Sequence, residues 1–200
     1  LRKPLYVLPF GVEEQEIFPI PYSLFPKKAY HLGAMDWMPN QEGVRWLAHE
    51  VWPLVRKQMP EAQLYLAGRR MPQEMLDWKL DGVTVEGEVP SAEDYIASKG
   101  ICLVPLFSGS GIRVKMLQAM AAGKAVVSTK IGLQGIEALP EKHLLLADTP
   151  EDFAAQVVRL MRDPELVQQL GTNAHALVHH KYAKHRLAKE LTEFYNRLIA

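Results

Sequence analysis

Six short apolar runs, separated by stretches with helical spacing, constrain this chain more than any other feature. The runs are Ala29–Leu32, Gln63–Ala67, Val83–Glu86, Ile101–Leu106, Ala125–Ser128 and His143–Ala147. Several are apolar at consecutive positions. A strand with one wet face alternates apolar and polar residues; a strand covered by helices on both faces does not. Strands that alternate with helices are joined by crossovers and therefore pair in parallel. The pattern predicts an α/β domain built on a doubly wound, mostly parallel six-stranded sheet.

The intervening stretches carry their own start and stop signals. Val44, Leu47, Ala48, Val51 and Val55 keep one face apolar, and Pro53 inside that pattern predicts a kink or an end. Ser91-Ala92-Glu93-Asp94 has the form of a capping box. Ile112, Met116, Ala119 and Met120 line one face of a helix that Gly123 closes. Thr149-Pro150-Glu151-Asp152 opens another helix, with Phe153, Val157, Leu160 and Met161 inward. After Asp163-Pro164-Glu165 the stripe continues through Leu166, Leu170, Ala174 and Leu177. The last helix, about Lys184 to Leu198, has Leu187, Leu191, Phe194 and Leu198 on one side. Ahead of these elements, Pro4, Pro9, Pro19, Pro21 and Pro26 make residues 1–27 read as a connector.

Composition removes several classes of function. The chain has 23 basic and 23 acidic side chains, so no net field draws it to nucleic acid or an anionic membrane. A single cysteine excludes an internal disulfide, and Cys102, within Ile101-Cys102-Leu103-Val104, reads as a buried structural thiol. No apolar stretch approaches membrane-spanning length, and no signal peptide is visible. The chain opens on Leu1, as a fragment would. A cytoplasmic protein, or a piece of one, fits these features.

The segment from Gly109 to Gly135 points to chemistry. It runs from an apolar strand through a small-residue turn (Gly109, Ser110, Gly111) into a helix that begins Ile112-Arg113-Val114-Lys115. Glycines let a ligand approach the backbone, and a helix start offers unpaired N–H groups and the positive end of a dipole. Such a loop also occurs as a plain connection. The basic pair argues against that reading, because cations in a first turn are unfavourable unless an anion sits beside them. Loops after three strands should meet there: Leu32-Gly33-Ala34, Glu86-Gly87-Glu88-Val89 and the stretch from Pro105 to Ser110. Gly-x-Gly-x-x-Gly is absent after the first strand, which disfavours a nicotinamide enzyme. His175, His179, His180 and His185 have no carboxylate or cysteine to complete a metal set and read as a solvated helix face. Glu13, Glu14 and Glu16 read as loop charges. Trp46, Trp52 and Trp78 read as packing anchors, whereas Trp37, in a strand-end loop, is a candidate for ligand contact. Arg69 reaches either the cleft or, with Arg70, the surface.

The block Gly109 to Gly135 resembles the donor-binding half of retaining glycosyltransferases of family four (group 1), which have the GT-B architecture. Val7-Leu8-Pro9-Phe10-Gly11-Val12 is similar to the hinge of that family. The stretches His31 to Asn40, Leu64 to Arg69 and Val83 to Gly87 are similar to its next strands and loops. The resemblance implies sugar transfer from a nucleotide-diphosphate donor to an acceptor hydroxyl with retention, without a metal or other cofactor. It divides the chain into a hinge (1–27), a nucleotide-sugar-binding domain (28–180) and a C-terminal helix (181–200) packing toward a missing N-terminal acceptor domain. Any association with the inner face of a membrane would come through that missing half. The family places two carboxylates eight positions apart around this loop; here those positions are Ser110 and Gln118. Gln118 can still bond a ribose diol, without charge assistance. The backbone from Ile112 to Lys115, with Val114 between, would meet the phosphates. Arg113 and Lys115 would stabilise the leaving diphosphate. Gly33 and Arg69 would line the site, and Val89 and Pro90 would face the base. Two further readings stay open: a non-catalytic nucleotide-binding or interaction module with a degenerate donor site, and an oligomer interface on the connector and last helix.

Overall fold

The computed structural model describes residues 4–13 and 27–199. Strands β1 (Lys28–Leu32), β2 (Gln63–Ala67), β3 (Val83–Gly87), β4 (Ile101–Val104), β5 (Ala125–Ser128) and β6 (Leu145–Leu146) form one sheet in the order β3-β2-β1-β4-β5-β6. Every pair is parallel. The chain winds from β1 outward to β3, then crosses back to β4 on the other side of β1. The point where strand order reverses therefore lies between β1 and β4, where a doubly wound sheet leaves a crevice.

All six anticipated runs are strands, and the ends differ for local reasons. β4 stops at Val104, before Pro105, which has no N–H for the ladder. β6 keeps only two residues of His143–Ala147. His143 turns its ring back to accept from the Leu139 N–H at 2.9 Å, while Ala147 N–H still reaches Ser128 O at 3.0 Å.

Helices cover both faces, as consecutive apolar residues require. On one face lie α1 (Met38–Trp46), α2 (Trp52–Gln58) and α7 (Pro150–Arg162). They bury Leu64, Leu66, Leu103 and Val127 with Trp52 and Phe153. On the other lie α4 (Ala92–Ala97), α5 (Val114–Ala121) and α8 (Pro164–Lys181), over Tyr30, Cys102, Val104 and Val126. Neighbouring residues of one strand thus enter different halves of the core. Two short helices, α3 (Gln73–Leu76) and α6 (Lys130–Leu133), were not signalled by apolar spacing. Gly171 lets α8 approach closely, since a Cβ there would lie 2.1 Å from Gly123 O.

Pro53 acts as expected, and the form of the kink is specific. Between α1 and α2 the chain makes a π turn over Leu47–Val51, with Trp52 N–H bonded to Leu47 O. Proline cannot donate to the carbonyl four residues back and crowds it, so the ladder widens by one residue before α2 resumes. Three caps follow the sequence signals. Ser91 Oγ accepts from Asp94 N–H at 3.1 Å, Thr149 Oγ1 from Asp152 N–H at 3.2 Å, and Asp163 Oδ1 from Leu166 N–H at 2.9 Å.

Within residues 4–13 the connector is strapped to the C-terminal helices. Val12 N–H donates to Tyr182 O, and Lys184 N–H, at the start of α9 (Lys184–Ile199), donates to Val12 O. Tyr6 stacks on Phe194 at 5.3 Å and donates to Glu190 at 2.8 Å. Of the expected apolar face of α9, Leu187 is buried, Leu191 and Phe194 are half-buried, and Leu198 is exposed. Pro19, Pro21, Pro26, Glu14 and Glu16 lie outside the described residues. Among the described residues no helix is long and apolar enough to cross a membrane.

Candidate functional site

A cavity of about 770 Å³ opens beyond the carboxyl ends of the central strands. Gly33 and Ala34 follow β1, Gly68 and Arg69 follow β2, and Val89 and Pro90 follow β3. Ser110, Ile112 and the start of α5 form the remaining wall. Among the anticipated site residues, Gly33, Arg69, Val89, Ser110, Ile112, Arg113, Val114, Lys115 and Gln118 all line this one cavity. Trp37 joins them, 36% exposed at the rim. The arginine pair divides: Arg69 faces the cavity, while Arg70 pairs with Asp36 at 2.5 Å on the surface.

Gly109 and Gly111 are not part of the wall. They act through the backbone, with φ of 101° and 85°, in the left-handed region where a side chain is strained. A Cβ on Gly109 would also lie 2.6 Å from the Trp37 ring. Their positive φ angles shape the loop that carries Ser110.

The two cations differ from the expected pair at a helix start. Arg113 is the N-cap residue of α5, so only Lys115 stands in the first turn. The Arg113 guanidinium folds back beneath the loop. Nη1 donates to Ser110 O at 2.7 Å and Gly111 O at 3.1 Å, and Nη2 to Gly109 O at 3.0 Å. Its carbon sits 5.4 Å from the centre of the Trp37 ring, and the residue is 4% exposed. A planar fork that holds three carbonyls fixes a loop whose glycines would otherwise leave it loose. The buried Nε has no protein partner.

Lys115 reaches inward. Nζ donates to Asn40 Oδ1 at 2.5 Å and lies 3.2 Å from His31 Nε2. Burial pushes its pKa down to about 7, and neighbouring Arg113 pushes the same way. No side chain caps α5, and its first two residues, Val114 and Lys115, line the cavity. The wall therefore combines the start of a helix with a lysine whose two hydrogen-bond partners are neutral. That is a place for an anion.

His31 and Asn40 are the functional candidates that the sequence hid. His31 is a polar residue inside an otherwise apolar strand, the one signal it offered. Elsewhere, Cys102 is buried and its thiol is pushed up to about 11, so it is no nucleophile near neutral pH. His175 Nδ1 is bonded to Ala121 O. Trp52 is buried, Trp46 packs edge-on against Phe107 and Phe153, and Trp78 packs against His49. Among the described residues no group of three or more His, Cys, Asp or Glu side chains could hold a metal ion.

Comparison with known proteins accords with this architecture. Residues 26–163 match the family model described as glycosyl transferases group 1. A curated relative, an uncharacterised 44.6 kDa protein in the cps region of Klebsiella pneumoniae, is 27% identical over 155 residues. That match takes in 72% of this chain and 40% of the relative, so the chain spans less than half of that protein. The C-terminal domain of a group 1 glycosyl transferase (LpcC) from Francisella tularensis superimposes with a TM-score of 0.69 at 18% identity, over 87% of this chain and 100% of that one. Anabaena HepE, solved in complex with UDP-glucose, superimposes with a TM-score of 0.73 at 13% identity, over 94% of this chain and 56% of that one. The sheet, its strand order and its flanking helices are those of a Rossmann-like half of a GT-B fold. The chain belongs to the group 1 glycosyl transferases.

Proposed function

We propose that this chain is the donor-binding domain of a retaining glycosyltransferase, and that the cavity takes a nucleotide-diphosphate sugar. The observation that carries this reading is Lys115 Nζ beside a helix start that no side chain caps, with no carboxylate paired to it among the described residues. A diphosphate supplies the missing charge. Its oxygens accept from the α5 amides and from Lys115, which stabilises the negative charge that grows on the leaving group during transfer. Arg113 acts one step back, by holding the loop that carries Ser110. Gln118 bonds the ribose diol, and Val89 and Pro90 border the base. The UDP-glucose complex of HepE supports a ligand of this class.

The acceptor would bind a separate N-terminal domain, and the strapped connector with α9 would face it. The fit of an isolated C-terminal domain from Francisella tularensis over most of this chain supports that division. Closure of the two domains would complete the site, so this chain alone should turn over little donor. Transfer would proceed without a metal or other cofactor, in a cytoplasmic setting.

A second reading has a specific observation behind it. Ser110 and Gln118 both line the cavity, and neither is a carboxylate. A domain that binds nucleotide without supporting transfer would look like this. Thermal melting with UDP, GDP, ADP and their sugar conjugates tests the common part of both readings. A saturable rise in melting temperature with one nucleotide is expected, because a ligand that binds only the folded state stabilises it. No rise with any of them would contradict both.

A further inference from the structure

The Lys115 ammonium has three N–H bonds to place. One goes to Asn40 Oδ1 and one to His31 Nε2. Each of these acceptors is oriented by a backbone carbonyl. Asn40 Nδ2 donates to Ala34 O at 2.8 Å, so its amide oxygen is the end that meets the lysine. His31 Nδ1 lies 2.9 Å from Leu103 O. A carbonyl only accepts, so Nδ1 carries the proton and Nε2 presents its lone pair. Burial, with the Lys115 charge second, holds the His31 pKa well below its ordinary value and keeps the ring neutral. His31 is 0% and Asn40 5% exposed, so water does not supply what they supply.

Gly33 leaves the space for this arrangement. A Cβ there would lie 2.8 Å from Asn40 Nδ2 and 3.0 Å from His31 Nε2. Cys102 on β4 and Arg113 at the N-cap are the titratable groups that shift Lys115, and Arg69 and Glu88 line the same cavity. The Cys102 thiol is uncharged near neutral pH, and Arg113 repels. The pocket thus gives Lys115 two oriented neutral partners, and among the described residues no carboxylate pairs with it. Ordinary lysine pairs in this protein are built the other way, as with Lys27 and Glu61 at 2.5 Å.

Building on the donor-binding reading, we propose that His31 and Asn40 are positioning residues that aim the third N–H of Lys115 into the cavity, and that the ligand diphosphate is its counter-ion, so that ligand and proton bind together. The step is a protonation only. The neutral amine of Lys115 takes one proton from solvent as the diphosphate arrives, and no other bond forms or breaks. Near pH 8 the free domain holds Lys115 mostly as the amine, because its pKa lies at about 7. The anion beside it restores the ammonium.

Calorimetric titration at pH 8, in two buffers of different ionisation enthalpy, counts protons taken up per ligand bound. UDP-glucose, GDP-mannose and ADP-glucose are the probes, since a bridged diphosphate has no proton of its own to release in this range. The native chain should take up close to one proton at pH 8 and little at pH 6. Asn40→Asp gives Lys115 a fixed partner; it should abolish the uptake and weaken binding about tenfold. His31→Phe should weaken binding about tenfold with the uptake retained, and His31→Gln, which restores an acceptor, should recover most of the affinity. A purely structural role would shift affinity and melting together, leave the proton count of Asn40→Asp unchanged, and give no recovery of affinity in His31→Gln. Binding without proton uptake in the native chain overturns the inference and leaves the donor-binding reading intact. Failure of all three probes to bind a folded sample overturns both.

Discussion

Lys115 and Lys124 are held in the same way at opposite ends of the sheet, and only one of them meets a cavity. Lys124, next to the amino end of β5, donates to Lys99 O at 2.8 Å and Ala97 O at 3.3 Å. It satisfies carbonyls at the end of α4, and burial pushes its pKa down to about 8. Lys115, beyond the carboxyl ends of β1 and β4, has two oriented neutral acceptors and an open side on the cavity. Both are desolvated cations bound by neutral acceptors. The comparison teaches that a lowered lysine pKa does not mark a site by itself; an unused N–H that faces space for a ligand does.

The largest effect should separate the two directly. Lys115→Met is expected to weaken nucleotide-diphosphate binding by about 1–3 kcal/mol, the range for hydrogen bonds to charged groups. Lys124→Met should leave that affinity unchanged and lower stability by a similar amount, about 1–3 kcal/mol, because two buried carbonyls lose their donor. Isothermal calorimetry and urea unfolding of the two variants read these separately.

The next effect is in pH. The folded pKa of Lys115 lies below its ordinary 10.5. Between pH 7 and that value the unfolded chain binds the proton and the folded chain does not, so this group makes native stability rise with pH. Relative to Lys115→Met, the native protein should gain about 2 kcal/mol over that window, a figure reduced for the cavity's access to solvent. Urea unfolding of both proteins from pH 7 to pH 10 would show it, and parallel curves would contradict it. His31 acts at the other end. Its folded pKa is depressed, so stability is lost as pH falls below about 6.5, and His31→Gln should flatten that loss.

Smaller effects sharpen the roles around the loop. Arg113→Ala should cost about 1 kcal/mol of affinity and speed amide exchange at Gly109 to Ile112. Arg113→Lys should not restore either, since one ammonium cannot span three carbonyls. Gln118→Glu should tighten nucleoside-diphosphate binding by about 0.5–1 kcal/mol if this position meets the ribose diol; an equal gain for inorganic pyrophosphate would place it elsewhere.

These residues also show how far the sequence could be read. Strand positions and the covered faces were legible because consecutive apolar residues have few alternatives in a soluble fold. The place of the candidate site, at the Gly109 loop, was legible because glycine and charge are local signals. The direction of the Arg113 side chain was not, because it depends on two left-handed glycines and on Trp37 pressing from another strand end. The partners of Lys115 were out of reach for the same reason. His31 and Asn40 stand 84 and 75 positions away, and only the parallel register of β1 with β4 brings them under α5. Pro53 announced a disruption, but nothing local distinguishes a π turn from a break.

Side-by-side calorimetric titration of the native chain, Lys115→Met and Lys124→Met with UDP, GDP and ADP tests the central claim most directly. Saturable binding of one nucleotide is expected for the native chain and for Lys124→Met, with a loss of about 1–3 kcal/mol in Lys115→Met. Equal affinity in all three proteins, or equal loss in both variants, would contradict it.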